Sequence, residues 1–417
     1  YPIVKPFFDG QPHAGHIFSP ILLYPATNIT EDWNTEDIVV TLAPGFYDST
    51  NMSANLSKMS ELGYNTVRIY VDNWYHTPDL VDETSNLPRL NDTYIANLID
   101  FLNLAEENNL HVMLAFGWLP ETYYYIINKT ACDNPTINAN YEYRSVNISS
   151  NFYDICFHKD FSGYNDFYVN YGIINATRIY ILDVLNAINK SANGSRLLLN
   201  VTMGVHLYND IPPVFENDEL PFNLTSGIIS VTLQNTETYD LSNNMSRQGL
   251  ADNATLFWLN EMGSYINQSY PDLLLSTDLS VPYQSSLSGY NGVPSVHNIS
   301  FATTQPHRIL KYLQSPYIDY ISIDLYPHPL GSEPKDILYN ITRHLETAEF
   351  KKEGNVVKVN GTTLNKPLVM GEYGVAKNCL PAQCYPNIDT AVYALMNHQI
   401  RSCSWNFTGW NTFTWDM

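Results

Sequence analysis

One acidic residue stands where a buried strand is expected to end. Glu372 closes the run Leu-Val-Met-Gly-Glu-Tyr-Gly at 368–374. A carboxylate is costly to bury without partners, so this Glu is expected either to form a structural salt bridge or to work in a site. At the carboxyl end of a strand, such a group could act as a nucleophile or as a general acid or base.

Two basic or titratable residues lie inside other predicted strands. Arg68 is in the middle of Asn-Thr-Val-Arg-Ile-Tyr-Val-Asp-Asn at 65–73, where its guanidinium could keep Glu372 ionised and oriented. The alternative for Arg68 is a structural ion pair below the site. His206 also lies within a strand run, and it is either a site residue or a hydrogen-bonded structural histidine.

The elements that must position these residues alternate between short apolar runs and amphipathic helices, which favours parallel βαβ units. The sequence predicts one (β/α)₈ TIM barrel over 1–417, with 1–36 packed on the barrel and 119–165 inserted as a long loop over its C-terminal face. Helices are expected near 52–62, 92–109 and 169–189. The predicted strands are 37–48, 65–73, 110–118, 196–210, 272–281, 317–328, 366–374 and 407–416.

Several motifs, taken in order, resemble the clan A glycoside hydrolases, specifically the cellulase-like and mannanase-like barrels of family 5 type. These are GYNTVRIYVDNW, GWLP, a sixth strand that ends in LYP, MGEYG and FTGWNTFTWD. The resemblance implies that Glu372 is the nucleophile of a retaining enzyme. It also implies a sugar site lined by Arg68, Trp118, Tyr326, Trp410 and Trp415, with His206 nearby.

The acid/base of such enzymes is normally the Glu of an Asn-Glu pair that ends the fourth strand. The positional match is Val-His-Leu-Tyr-Asn-Asp, with Asn209 at the Asn and Asp210 in place of Glu. Asp is shorter by one methylene, and a misplacement of about 1 Å can cost on the order of 100-fold in rate. Asn260 and Glu261 also spell the pair, but they lie in an amphipathic helical run and are expected outside the site.

Two functions fit these residues. The first is a retaining β-glycosidase or transglycosylase that acts on a β-linked polysaccharide: Glu372 attacks the anomeric carbon, Asp210 protonates the leaving oxygen, and Asn209 contacts the 2-hydroxyl. The second is a catalytically weakened glycoprotein on the same fold, with a structural, filament-forming or cell-surface role. Asp210, Asp324 and Phe413 depart from the family pattern. The given sequence stops at Met417, before an eighth outer helix: either it is an excerpt of a longer chain, or the segment 1–36 or a neighbouring molecule is expected to cover that flank, the last by self-association.

The asparagines indicate a compartment. Eighteen stand in Asn-x-Ser/Thr sequons, which is typical of a secreted, extracellular or cell-surface protein with N-glycans. The start at Tyr1 suggests a mature chain whose signal peptide has been removed. Asn200 and Asn406 fall on predicted strands and are expected to stay unmodified; the others are Asn28, Asn51, Asn55, Asn91, Asn128, Asn147, Asn175, Asn189, Asn193, Asn223, Asn244, Asn253, Asn267, Asn298, Asn340 and Asn360.

The five cysteines fit an oxidising compartment. Cys379 with Cys384 and Cys132 with Cys156 are short-range pairs suited to disulfides, which leaves Cys403, although other pairings remain open. Neither spacing suits a tetrahedral metal site, and no metal or cofactor is expected.

Charge and hydropathy limit the partners. The net charge of −21 argues against nucleic acid, and no apolar run reaches the roughly 18 residues of a membrane span. The expected partner is an oligosaccharide or polysaccharide.

Overall fold

The structure is a computed structural model. It describes residues 17–22, 42, 44–45, 47–71, 90–116, 125–127, 140–142, 153–155, 171–208, 230–233, 237–240, 243–280, 313–324, 345, 350–359, 361–373, 396–397 and 399–412.

Nine strand segments form one parallel sheet, and they make eight strands because the fifth strand has two parts. In chain order they are β1 (Ile17–Leu22), β2 (Thr66–Tyr70), β3 (His111–Ala115), β4 (Thr202–His206), β5 (Leu275–Ser276 and Asp278–Ser280), β6 (Ile321–Asp324), β7 (Leu368–Tyr373) and β8 (Phe407–Thr412). β1 lies between β8 and β2, and the remaining neighbours follow chain order. The predicted (β/α)₈ architecture is confirmed.

Closure of the barrel takes place at β5, which is split at Thr277. Its first half pairs with β4 and its second half with β6. Backbone hydrogen bonds of 2.8 Å run from Leu207 N to Ser276 O on one side and from Asp319 N to Leu275 O on the other. One strand therefore joins the two edges of the sheet.

Four long helices follow β1 to β4 along the chain: α1 (Ser49–Glu61), α2 (Asp92–Glu107), α3 (Tyr171–Asn189) and α4 (Asn244–Ser269). Asp48 caps α1 by accepting from the backbone N–H groups of Thr50 and Asn51. Gly63, at φ 89°, ends the helix in the left-handed conformation that favours glycine. Met52, Leu56 and Met59 are the buried residues of α1.

The prediction of the first strand is wrong. Leu42, Pro44 and Gly45, inside the predicted strand 37–48, belong to turns, whereas β1 lies at 17–22, in the segment that was expected to pack on the barrel. Pro20 sits inside β1 and cannot donate to the ladder, which made this run look like a poor strand.

The fourth strand is shorter than predicted. Leu197–Val201 forms a π-helical turn after the short helix Gly194–Arg196, and the strand begins only at Thr202. Leu197, Leu198 and Val201 are buried in this turn. A short apolar run has the same appearance in a buried helix and in a buried strand, so periodicity could not separate them.

Short strands lie outside the barrel. Within the insertion 119–165, Tyr125–Ile127 pairs with Tyr153–Ile155, and Asn140–Glu142 pairs with Ser230–Thr232, which also pairs with Thr238–Asp240. The described parts of this insertion therefore contain regular structure. A further antiparallel sheet is made of Phe350–Glu353, Val356–Val359 and Thr362–Thr363.

The core has two layers. Met113, Met203, Leu274, Tyr320 and Val369 form a cluster inside the barrel. A much larger cluster fills the space between the strands and the helices, and it includes alternate strand residues such as Val67, Ile69, Val205 and Met370. This in-and-out alternation directs Arg68 and His206 to the barrel interior. Among the described helices, none has both the length and the apolar character needed to cross a bilayer.

Candidate active site

A buried ion pair crosses the barrel interior. The Nη2 of Arg68 on β2 donates to the Oδ2 of Asp278 on β5, and both side chains have 0% exposure. The guanidinium also lies 5.2 Å from the ring centroid of Tyr70. The sequence predicted that Arg68 pairs with Glu372. Among the described residues, the carboxylate that pairs with Arg68 is Asp278. Sequence reasoning missed Asp278, although a charged residue within a strand run is the same signal that singled out Arg68.

His206 on β4 joins this pair to a tyrosine. Its Nδ1 lies 2.6 Å from Asp278 Oδ2, and its Nε2 lies 2.7 Å from the hydroxyl oxygen of Tyr320, just before β6. An ionised carboxylate can only accept, so Nδ1 carries the proton and donates to Asp278. Both ring nitrogens are therefore engaged with protein partners, and the side chain is fully buried. We call Arg68, Asp278, His206 and Tyr320 the interior network.

The charges in the interior network fix the ionisation of its members. Burial alone would raise the pKa of Asp278, but the positive charges of Arg68 and His206 outweigh it and lower this pKa to about 2. Burial and the Asp278 carboxylate both raise the pKa of Tyr320 well above its usual value. Asp278 is therefore a carboxylate and Tyr320 a neutral phenol at ordinary pH. Asp278 cannot serve as a proton donor.

Gly204 makes room for the interior network. A Cβ at this position would stand 2.8 Å from the Tyr320 hydroxyl oxygen and 3.3 Å from the Leu274 carbonyl oxygen. The Gly204→Ala variant is expected to displace the hydroxyl from His206 and to lower the free energy of unfolding by about 1–3 kcal/mol. Chemical denaturation of the single variant Gly204→Ala and of the double variant Gly204→Ala/Tyr320→Phe measures this loss of unfolding free energy. If the second substitution relieves none of the loss, the clash with the hydroxyl is not its cause.

Glu372 lies near the carboxyl end of β7. Its backbone position is in register with Asp324 on the neighbouring strand β6. The preceding residue, Gly371, accepts a hydrogen bond of 3.1 Å at its carbonyl oxygen from Arg68 Nη1. The interior network therefore contacts the backbone directly beside the predicted nucleophile.

Trp410 is not at the position that the resemblance implied. It is 1% exposed, and its indole N–H donates to Ser402 Oγ at 2.6 Å, in the helical segment that precedes β8. Trp410 belongs to the outer core cluster. Its ring packs between the barrel and the helices and is not available to a ligand.

The Asn260-Glu261 pair lies outside the barrel, as expected. Both residues are on α4; Glu261 Oε2 accepts from Arg178 Nη1 on α3 at 2.7 Å, and Asn260 Oδ1 accepts from Ser315 Oγ at 2.8 Å. These contacts join outer elements to one another. Glu261 is a structural carboxylate.

Other predicted residues fall outside the described ranges. They are Trp118, Asn209, Asp210, Tyr326, Trp415, Cys132, Cys156, Cys379 and Cys384. Tyr208, the last described residue after β4, is buried. Cys403 is free and exposed. In the part of the chain that the structure describes, no three metal-binding side chains cluster.

Several sequon asparagines are on the surface. Asn51, Asn189, Asn193 and Asn267 are exposed. Asn200 and Asn406, which were expected to lie within strands, are also exposed: Asn200 is in the π-helical turn, and Asn406 immediately precedes β8. Asn253 is less accessible, because its side-chain N–H donates to the Tyr239 hydroxyl at 2.8 Å.

Comparison with solved structures finds carbohydrate-active enzymes. An exo-β-1,4-mannosidase from Opitutaceae bacterium strain TAV5 superposes with a TM-score of 0.50 at 14% identity, covering 95% of this chain and 51% of that one. The chain thus spans about half the length of that enzyme. No protein-family model matches the sequence, and no curated protein is similar to it in sequence.

Two further structures are related in the same way. An endo-1,4-β-D-mannanase from Thermotoga petrophila has a TM-score of 0.48 at 14% identity, with 88% of this chain and 85% of that one covered. A β-mannanase from the blue mussel Mytilus edulis has a TM-score of 0.45 at 10% identity, with 96% and 87% covered. This chain has the (β/α)₈ barrel fold of the glycoside hydrolases that its motifs resemble.

Proposed function

We propose that this protein is a retaining β-glycosidase or transglycosylase that acts on a β-linked polysaccharide. The observation that carries the proposal is the position of Glu372 near the carboxyl end of β7. In the sequence, Asn209 and Asp210 are the third and fourth residues after the end of β4. β4 and β7 are separated by β5 and β6 along the shorter way round the sheet. Residues at these two strand ends therefore approach the barrel mouth from different sides.

In this mechanism Glu372 attacks the anomeric carbon and forms a covalent glycosyl–enzyme intermediate. Asp210 protonates the leaving oxygen and then, as a carboxylate, activates water or an acceptor sugar. Asn209 contacts the 2-hydroxyl group. Arg68 and His206 are fully buried, and we propose that they hold neighbouring groups of the site in place.

The comparison supports a proposal for the substrate class. The Opitutaceae enzyme is an exo-β-1,4-mannosidase, so we propose a β-linked mannose-containing glycan as the first substrate to test. Soluble β-mannan, β-1,4-glucan, β-1,3-glucan and matched oligosaccharides are incubated with the purified protein. Proton NMR then follows the anomeric configuration of the first product. A product that retains the β configuration is expected; an α product would exclude the double-displacement mechanism.

A glycoprotein without turnover is the second candidate, and Asp210 in place of the usual Glu favours it. The same panel of glycans distinguishes the enzyme from the glycoprotein without turnover. Binding to a polysaccharide without any release of sugar would replace the enzyme with a carbohydrate-binding or structural role.

We also propose that the chain is secreted and N-glycosylated. Exposed sequon asparagines such as Asn51, Asn189, Asn193 and Asn267 support this, because the modifying enzyme needs access to the side chain. Treatment of the native protein with peptide N-glycosidase F in H₂¹⁸O converts each modified Asn to labelled Asp. Labelled peptides at these four positions are expected, with lower occupancy at Asn253; a protein without label at any of them would contradict secretion by this route.

A further inference from the structure

A β-bulge interrupts β7 just before Glu372. Met370 pairs with Ile323 on β6, but the next pair joins Glu372 to Asp324, so Gly371 is an extra residue on β7. The ladder to β8 shifts between Met370 and Tyr373 as well. An extra residue of this kind changes which face of the sheet the following residues occupy.

The bulge decides the face on which position 372 lies. Leu368 and Met370 are in the outer core and Val369 is in the interior cluster, so strict alternation would place 372 on the outer face. On β6, Ile321 and Ile323 are in the outer core, which places position 324 on the interior face. Because 372 is in register with 324, the bulge moves it to the interior face.

Arg68 binds the bulge from inside the barrel. The carbonyl oxygen of Gly371 accepts from Arg68 Nη1 at 3.1 Å, and this arginine is fully buried. A guanidinium presents its donors in a fixed fork, so one side of Arg68 can bind Asp278 while another binds the carbonyl. The same guanidinium therefore links Asp278 to the backbone of the bulge.

We propose that Asp278 is a positioning residue of the active site. Through Arg68, it stabilises the bulge at Gly371 and so sets the register that brings Glu372 to the barrel interior. The role of Glu372 as nucleophile is taken from the proposed function. The link from Asp278 to the bulge is a property of the fold and is measured separately.

The test compares Asp278→Asn with Tyr320→Phe. The first removes the charge that holds Arg68; the second removes a hydrogen bond to His206 in the same network but leaves the Arg68–Asp278 pair intact. Amide hydrogen exchange is followed at Gly371–Tyr373, with the amides of β3 as an internal reference. We expect Asp278→Asn to accelerate exchange at Gly371–Tyr373 at least about 10-fold relative to β3, and Tyr320→Phe to leave that ratio unchanged.

Turnover gives the second readout. Asp278→Asn is expected to lower kcat by about 10- to 100-fold with KM within about 2-fold, and Asp278→Glu to restore part of it, because misplacement of a catalytic group by about 1 Å has an effect of this size. If Asp278→Asn does not fold, Arg68→Lys takes its place, since lysine is a compact point charge that lacks the planar fork of arginine.

The outcomes separate this inference from the proposed function. An unchanged exchange ratio at Gly371–Tyr373 in Asp278→Asn, or in Arg68→Lys, would overturn the positioning role. A wild type without turnover would overturn the proposed function, while the exchange ratio would still decide whether Asp278 holds the bulge.

Discussion

Glu372→Gln is expected to lower kcat on a cleaved β-glycan by about 10⁴-fold or more, because an amide oxygen cannot form the covalent glycosyl intermediate. Glutamine has nearly the same shape as glutamate, so the free energy of unfolding and the affinity for the glycan should change little. Initial rates measured with reducing-end detection, together with thermal unfolding of both proteins, check this prediction.

Glu261→Gln is the matched control for that substitution. It makes the same change from carboxylate to amide, but at a residue that pairs with Arg178 between the outer helices. Its turnover should equal that of the wild type. Equal losses in the two variants would show that the effect is not specific to position 372, and turnover that survives in Glu372→Gln would exclude this residue as the nucleophile.

Arg68→Leu is expected to destabilise the barrel by about 3–5 kcal/mol, since it leaves the buried Asp278 carboxylate without its main counter-charge. The double variant Arg68→Leu with Asp278→Leu should recover much of this loss, because an apolar pair leaves no charge behind. Urea unfolding of the wild type, the two single variants and the double variant forms a double-mutant cycle. Additive effects in this cycle would contradict a coupled pair.

The Arg68–Asp278 ion pair makes the stability of the folded protein depend on pH. Asp278 has a pKa of about 2 in the folded protein against a usual value of 3.8, so its contribution to stability is complete above pH 4 and is lost as the pH falls towards 2. Asp278→Asn should therefore flatten the dependence of unfolding free energy on pH between about 4 and 2. A slope equal to that of the wild type in this window would show that Asp278 does not keep its low pKa.

Much of the architecture could be predicted from sequence because buried parallel strands are nearly continuous apolar runs. The runs that contain Arg68, Glu372 and Trp410 were found for this reason, and all three residues lie in barrel strands. The first strand was not predicted because Pro20 interrupts its strand pattern. The run 37–48 has a more regular apolar pattern, but its described residues form no strand. In both segments the structure follows the pairing with neighbouring strands and not the local strand propensity.

The site was harder to predict because the partner of a buried charge is set by strand neighbours that are distant in sequence. Arg68 was recognised as a buried cation, but Asp278 is 210 residues away. The orientation of Trp410 also required tertiary information, since either face of β8 could have been the inner one. The bulge at Gly371 has only a weak signature, a glycine inside a strand run.

Covalent trapping at position 372 is the measurement that bears most directly on the function. The protein is incubated with an activated 2-deoxy-2-fluoro-β-mannoside or β-glucoside, and peptides are analysed by mass spectrometry. We expect one fluoroglycosyl adduct on Glu372, absent from Glu372→Gln and present in Glu261→Gln. An adduct on another carboxylate, or no adduct with a protein that cleaves the matching β-glycoside, would contradict the assignment of Glu372 as the nucleophile.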